Sequence, residues 1–221
     1  MKINIVDEGL KDYEEMHAIQ KEIFSSMVEK KKHGIPITEE FLFIVEHTPV
    51  ITFGKHAKSS NLLISGERAS ELGVGIYNIE RGGDVTYHGP GQIVIYPIID
   101  MELHHLGVKD YVHLLEEAVI MTLEEFHIKG ERVQGASGVW IDAGTDQERK
   151  ICALGVKCSR FVTMHGLALN VNTDLSGFRM INPCGFIDKG VTSMAQELGK
   201  EIDMAEVKKI MILKFQQLIG F

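Results

Sequence analysis

Residues 81–92 read Arg-Gly-Gly-Asp-Val-Thr-Tyr-His-Gly-Pro-Gly-Gln, and they lie between two apolar runs of β type, residues 75–79 before and 92–99 after. Four glycines and a proline within twelve residues cannot prolong either run, so the chain must turn here between strands. Glycine also lets a backbone approach a ligand closely. Arg81, Thr86, Tyr87, His88 and Gln92 bring donors and acceptors of several kinds to the same turn, the means by which a mostly apolar pocket fixes the orientation of a small molecule. A plain glycine-rich hairpin with incidental polar residues fits the same spacing, since connecting loops are often only connections.

The rest of the chain supplies elements to pack around that turn. Leu10, Tyr13, Met16, Ile19, Ile23 and Met27 recur at steps of three or four and predict an amphipathic helix ending in a solvated run, Glu29, Lys30, Lys31, Lys32, His33 and Gly34. Residues 41–45 and 49–54 predict two strands, residues 67–72 a short helix, and residues 74–79 the strand that delivers Arg81. A longer helix is expected over 108–128, with Tyr111, Leu114, Leu115, Ala118, Val119, Thr122 and Phe126 on its inner face. Strands at 137–142, 150–156 and 165–171 precede an irregular segment, residues 172–189. Helices close the chain, with Ser193 and Gln196, then Asp203 and Glu206, as capping boxes. Strands outnumber helices and come partly in consecutive runs, and no Ser/Pro-rich linker divides the 221 residues. The expectation is one α+β domain over residues 1–221, with a mixed β-sheet and flanking helices.

Several functional classes drop out. No apolar run approaches the roughly 18 residues of a membrane helix, and acidic Asp7 and Glu8 follow an opening that lacks the character of a secretory signal, so a cytoplasmic protein is expected. A net charge of −8 argues against a nucleic-acid binder, which needs a basic face. The spacing of His104, His105 and His113 matches no common zinc pattern, so no metal is expected.

Cys152, Cys158 and Cys184 form no disulfide framework. Cys184 stands between Pro183 and Gly185 in the irregular segment, where a fixed backbone and a side-chain-free neighbour leave a thiol approachable. Cys152, in mid-strand, reads as a buried structural cysteine. Cys158 ends a strand beside Lys157 and Arg160, and reads as surface. A thiol of ordinary pKa, about 8.5, is a poor nucleophile near neutrality unless a cation or base adjoins it. Lys150, Lys157, His88 and His165 are the candidates, and spacing does not choose among them. Lys150 opens an apolar strand, which favours partial burial; a solvated strand end for Lys150 and a satisfied histidine beside a turn for His165 are the plainer alternatives.

These residues carry a resemblance. Arg81-Gly82-Gly83, Thr86-Tyr87-His88, Gly91-Gln92 and Tyr96 resemble the signature loop of the lipoyl(octanoyl) transferase family. The likeness continues in family order through residues 46–50, 61–63, 138–140, 150–155, 165–171, 182–185 and 191–193, nearly the whole chain. It implies a fold like the catalytic domain of biotin and lipoate protein ligases. It also implies a reaction: transfer of an octanoyl group from octanoyl-acyl carrier protein to one lysine of a lipoyl domain, on the E2 subunit of a 2-oxoacid dehydrogenase or on the glycine-cleavage H protein, with no cofactor. By the same resemblance Cys184 is the nucleophile and forms the thioester intermediate, while Lys150 lowers its pKa and moves protons. Arg81, Gly82, Gly83, Asp84, Val85, Thr86, Tyr87 and His88, with Ala153, Leu154, Gly155, Gly166, Leu167 and Ala168, are implied to line the acyl and phosphopantetheine site. Asp84, where the family often has Gln, Cys152, where Ala is usual, and the polar loop 143–149 depart from the pattern. An ATP-dependent ligase of the same fold and a non-catalytic binder of carrier or lipoyl domains are the rivals. Because acyl carrier proteins are acidic and this chain is too, a basic rim is expected around the pocket, drawn from Lys55, His56, Lys58, Lys109, Arg149, Lys157 and Arg160.

Overall fold

A computed structural model describes residues 2–182 and 190–220. The chain opens with a strand that its sequence does not advertise, β1 (Lys2–Lys11), paired parallel to β2 (Glu39–His47) with Ile5 beside Leu42. It is half exposed and interrupted by a register shift between Asp7 and Leu10, which blurs the period-two alternation. Leu10 therefore belongs to this edge strand, 61% exposed, and not to the helix face expected for it. The helix, α1 (Tyr13–Lys32), starts one residue after Lys11's strand, where the Asp12 carboxylate accepts the Glu14 N–H at 2.8 Å as an N-cap. It buries Tyr13, Met16, Gln20, Phe24 and Met27, spaced so that they share one face. The expected charge run lies inside this helix as far as Lys32, with His33 as the C-cap. Lys31 is no surface residue: its Nζ reaches both oxygens of buried Asp100 at 2.6 Å and Glu102 at 2.8 Å.

The main sheet runs β1, β2, β6 (Gln92–Ile98), β10 (Val162–Asn170), β9 (Arg149–Ser159), β8 (Ala136–Ile141) and β7 (Glu131–Val133), and the short β11 (Gly190–Val191) lies parallel to β9. Every residue of β6 and β10 is buried, because helices cover both faces of the sheet. Alternate residues sort to opposite sides. Ile93 and Ile95 pack with Tyr111, Leu115 and Val119 of α3 (Val108–Glu125) and Val207, Met211 and Phe215 of α5 (Met204–Ile219), while Val94 and Tyr96 pack with Met16, Phe24 and Met27 of α1. Each such large side chain contributes about 1.5–3 kcal/mol by burial. Of each expected capping box the N-cap bond forms: Ser193 Oγ accepts from Gln196 N at the start of α4 (Met194–Leu198), and Asp203 accepts from Ala205 N, one residue short of Glu206, at the start of α5. Thus the mixed sheet with flanking helices is what forms. No helix among the described residues is long and apolar enough to cross a membrane.

A second, smaller sheet corrects the reading of residues 81–92 as one turn. β3 (Val50–Phe53) pairs parallel with β4 (Gly75–Asn78) and antiparallel with β5 (Val85–His88), so a strand sits inside the glycine-rich stretch. The short helix α2 (Gly66–Glu71) packs Ala69 against this sheet.

Candidate functional site

Where the small sheet meets β6, β9 and β10, a cavity encloses about 940 Å³ including its mouth. One wall comes from residues 81–88, of which Arg81, Gly83, Asp84, Val85, Thr86 and His88 line it. Gly82 and Tyr87 do not. The Gly82 amide is spent on Val156 O at 2.9 Å, fastening the loop to β9, and the Tyr87 ring turns into the core of the small sheet, edge-on to Phe178 at 5.5 Å. Ala153, Leu154 and Gly155 of β9 lie opposite Ala168, Leu167 and Gly166 of β10, and all six border the cavity.

Arg81 is buried. Its guanidinium donates to Thr52 O at 2.9 Å, Thr52 Oγ1 at 3.2 Å and Gly82 O at 3.0 Å, so it braces the loop against β3. Glycine is required where the loop crosses β9: a Cβ on Gly155 would stand 2.7 Å from Gly82 O and 3.0 Å from Arg81 Cδ. Asp84 completes the bracing by accepting from Val85 N and Asn61 Nδ2, each at 2.7 Å.

Lys150 enters the cavity because β9 is irregular. Val139 pairs with Cys152 but Trp140 pairs with Lys150, so Ile151 is an extra residue, and consecutive Ile151 and Cys152 both face the α3/α5 core. This shift puts Lys150 in phase with Ala153 and Gly155, its Nζ 4.4 Å from the centroid of the Trp140 ring. Lys157, the other lysine of β9 considered above, sits away from the cavity lining, paired with Glu80 and 4.9 Å from the Phe24 ring centroid.

Cys152 is fully buried, and burial pushes its thiol up to about 12, as fits a core residue. Cys158 is exposed at the residue level, yet partial burial of its thiol raises rather than lowers its pKa despite the neighbouring cations. Cys184 lies outside the described residues. The described chain on either side of it is anchored at the cavity: Asn182 N donates to Asn61 O at 2.8 Å, and Val191 pairs with Lys150, whose carbonyl accepts from Thr192 N at 3.0 Å. Gly190 and Val191 both line the cavity.

Two histidines, His88 and His165, line the cavity, and the ring of a third, His47, lies 5.9 Å from that of His88. His88 Nδ1 pairs with Gln92 Oε1 at 2.7 Å, Gln92 Nε2 donates to Asn170 Oδ1 at 2.8 Å, and Asn170 Nδ2 donates to Thr192 O at 2.9 Å. His47 bonds Lys11 O and Tyr96 Oη. His165 lies in a strand, as expected, but it is not the satisfied histidine of the plainer alternative: it is buried with φ 62°, and its Nε2 has no partner among the described residues. Burial lowers His88 and His165 to about 3 and His47 to about 4, so all three are neutral imidazoles. The sequence reading named His88 but passed over Tyr13, Tyr96, Trp140 and Asn170, which also line the cavity. Tyr13 carries only the periodicity of a core residue, while Tyr96, Trp140 and Asn170 entered only as members of the runs that carry the resemblance. Of the expected basic rim, Arg149 is held by Glu197 and Asp142 and Lys157 by Glu80, which leaves Lys55, His56, Lys58, Lys109 and Arg160 for that role.

The cavity is largely apolar, with the buried Arg81 guanidinium, Asp84 and Lys150 as the charged groups on its lining. The model of the lipoyl protein ligase A/B catalytic domain matches residues 12–216. An octanoyltransferase of Bacteroides fragilis is 51% identical over 209 residues, covering 95% of this chain and 94% of that protein. One from Parabacteroides distasonis is 60% identical over 168 residues, 76% of each chain. In fold, the bipartite lipoate protein ligase of Thermoplasma acidophilum superposes with a TM-score of 0.70 at 14% identity, over 100% of this chain and 84% of that one.

Proposed function

The chain belongs to the lipoyl protein ligase A/B catalytic domain family, and from that membership we propose that its cavity holds the octanoyl chain of a carrier-bound thioester during transfer to a protein lysine. It is an acyltransferase, an octanoyltransferase by its close relatives. In this reading the donor is octanoyl-acyl carrier protein and the acceptor is one lysine of a lipoyl domain, on 2-oxoacid dehydrogenase E2 subunits or glycine-cleavage H protein. The reaction belongs in the cytoplasm, whose reducing state keeps a nucleophilic thiol free.

Cys184 is the nucleophile. Its thiolate attacks the thioester carbonyl; the carbon–sulfur bond to the carrier breaks, and the departing thiolate takes a proton from the Lys150 ammonium. In the second half the acceptor amine attacks the acyl-enzyme, the carbon–sulfur bond to Cys184 breaks, and Lys150, now neutral, takes the proton lost by the nitrogen. The thiolate is regenerated, and no ATP is consumed because the acyl group arrives activated. Backbone N–H groups of the glycine-rich loop stabilise the tetrahedral oxyanion. The cavity-lining residues of the 81–88, 153–155 and 166–168 runs, Gly82 and Tyr87 apart, hold the chain and its pantetheine arm.

The observation that supports this best is the pairing of Val191 with Lys150: seven residues beyond Cys184 in sequence, the chain is fastened to the strand that presents the ammonium. Intact-mass measurement after mixing with octanoyl-acyl carrier protein tests it. An octanoyl adduct is expected on the native protein and not on Cys184→Ser. An adduct mapped to Cys152 or Cys158 moves the nucleophile, and efficient modification of a lipoyl domain from ATP and free octanoate alone makes the enzyme a ligase instead.

A further inference from the structure

Among the described residues Asp84 carries the only carboxylate on the cavity lining, where Arg81 and Lys150 supply the cations. It is half-buried beside exposed Gly83, which also borders the cavity, and so stands at the mouth. Its oxygens accept from two neutral donors, the Val85 amide and Asn61 Nδ2, each at 2.7 Å, and no cation pairs with it among the described residues. A carboxylate has about four lone-pair sites, so part of its accepting capacity stays open. Asn61 also fixes where that charge sits. Its carbonyl accepts from Asn182 N at 2.8 Å, and Asn182 is two positions before Cys184 in sequence. One residue thus joins the carboxylate to the chain that leads to the nucleophile.

We propose that Asp84 is the seat of the acceptor lysine, binding its side-chain nitrogen as it reaches the acyl-enzyme. A lysine of ordinary pKa, about 10.4, arrives near neutrality as an ammonium. Bringing it into a largely apolar cavity costs hydration, and Arg81 and Lys150 repel it. Asp84 is the lining group that offsets both effects. The donor has no such use for the carboxylate: its alkyl chain and amide-linked arm are neutral, and the phosphate beyond them is anionic. Once the ammonium has given one proton to water, the neutral amine still donates an N–H to Asp84 and keeps its lone pair for the acyl carbonyl. The next proton leaves on attack, for Lys150 as described above. The inference deepens the proposed acyl transfer and rests on it.

The test starts from octanoyl-enzyme isolated after mixing with octanoyl-acyl carrier protein, which separates the second half of the reaction from loading. Intact mass follows its cleavage by a lipoyl domain and by hydroxylamine, a nucleophile uncharged at neutral pH. Asp84→Asn keeps the size of the side chain and removes its charge, and the Asn61 amide can turn to match it. This variant is expected to lower the ratio of lipoyl-domain rate to hydroxylamine rate by about tenfold to a hundredfold, the worth of one hydrogen bond to a charged group. An unchanged ratio overturns the acceptor seat and leaves the proposed function standing. Should the variant fail to fold or to load, the native octanoyl-enzyme decides: n-butylamine, an alkylammonium, should compete with the lipoyl domain and n-butanol should not. Equal behaviour of the two overturns the seat. Absence of an octanoyl adduct on native Cys184 overturns the proposed function and this inference with it.

Discussion

Acidification from pH 7.5 to 5.0 should destabilise the folded protein through the three imidazoles around the cavity. Burial holds His47 near 4 and His88 and His165 near 3, whereas each titrates near 6.5 in the unfolded chain. The folded state thus binds fewer protons than the unfolded state between these limits, so stability is complete above about pH 6.5 and falls as pH drops toward 4 and 3. At pH 5 the unfolded imidazole lies 1.5 pH units below its pKa, which at 1.36 kcal/mol per unit costs about 2 kcal/mol per histidine, or about 6 kcal/mol for the three. That is comparable with the whole stability of many domains, about 5–15 kcal/mol. Carboxylates held down by partners, such as Glu197 beside Arg149, act in the same direction but only as pH falls through the carboxylate range, so pH 6.5 to 5 isolates the histidines. Urea midpoints at pH 7.5, 6.0 and 5.0 measure the loss, and imidazole NMR titration assigns it. A flat midpoint across this window, or His88 and His165 resonances titrating near 6.5 in the folded protein, would refute the reasoning.

Lys150→Met keeps an apolar stem on the Trp140 ring but removes the ammonium, so single-turnover acyl transfer should fall by about 10² or more; a loss under threefold excludes the proton-transfer role. Gly155→Ala drives a Cβ against Gly82 O and Arg81 Cδ and must lift the loop from β9, lowering kcat/KM by about 10²-fold, and near-native kinetics would show that the loop need not sit there. In the folded protein Cys158 should react with a maleimide while buried Cys152 stays unlabelled until urea is added, as peptide mapping would reveal. Neutralising Lys55 and Lys58 should raise KM for the carrier thioester severalfold at low salt and little at about 1 M, where the Debye length shrinks to about 3 Å; a KM indifferent to both changes removes the basic rim.

What the sequence disclosed followed from periodicity. The strands β6 and β10 and the inner face of α3 were legible because unbroken or regularly spaced apolar residues have few other arrangements. Edge strand β1 was hidden by its half-exposed pattern, and β5 by the glycines that punctuate it on both sides. Lys31 looked solvated because its buried partner Asp100 is 69 residues away. At the site, the loop and the two glycine-bearing strands could be read from motifs, but the entry of Lys150 depends on one extra residue in β9, which no alternation of residue types records. The alignment of Gln92 with Asn170 and Thr192 escaped for a related reason: each is an ordinary polar residue until the sheet sets them end to end.

That row of amides also has a direction. It ends on Thr192 O, and Gln92 Nε2 also meets Tyr87 O at 3.2 Å; a backbone carbonyl accepts and can never donate. Rotating either side-chain amide by half a turn would set oxygen against oxygen, so both are locked, and Gln92 must offer its oxygen to His88. The proton of neutral His88 accordingly resides on Nδ1 and the lone pair on Nε2, a choice of tautomer dictated three links away by the carbonyl of Thr192, the residue whose own N–H donates to Lys150 O.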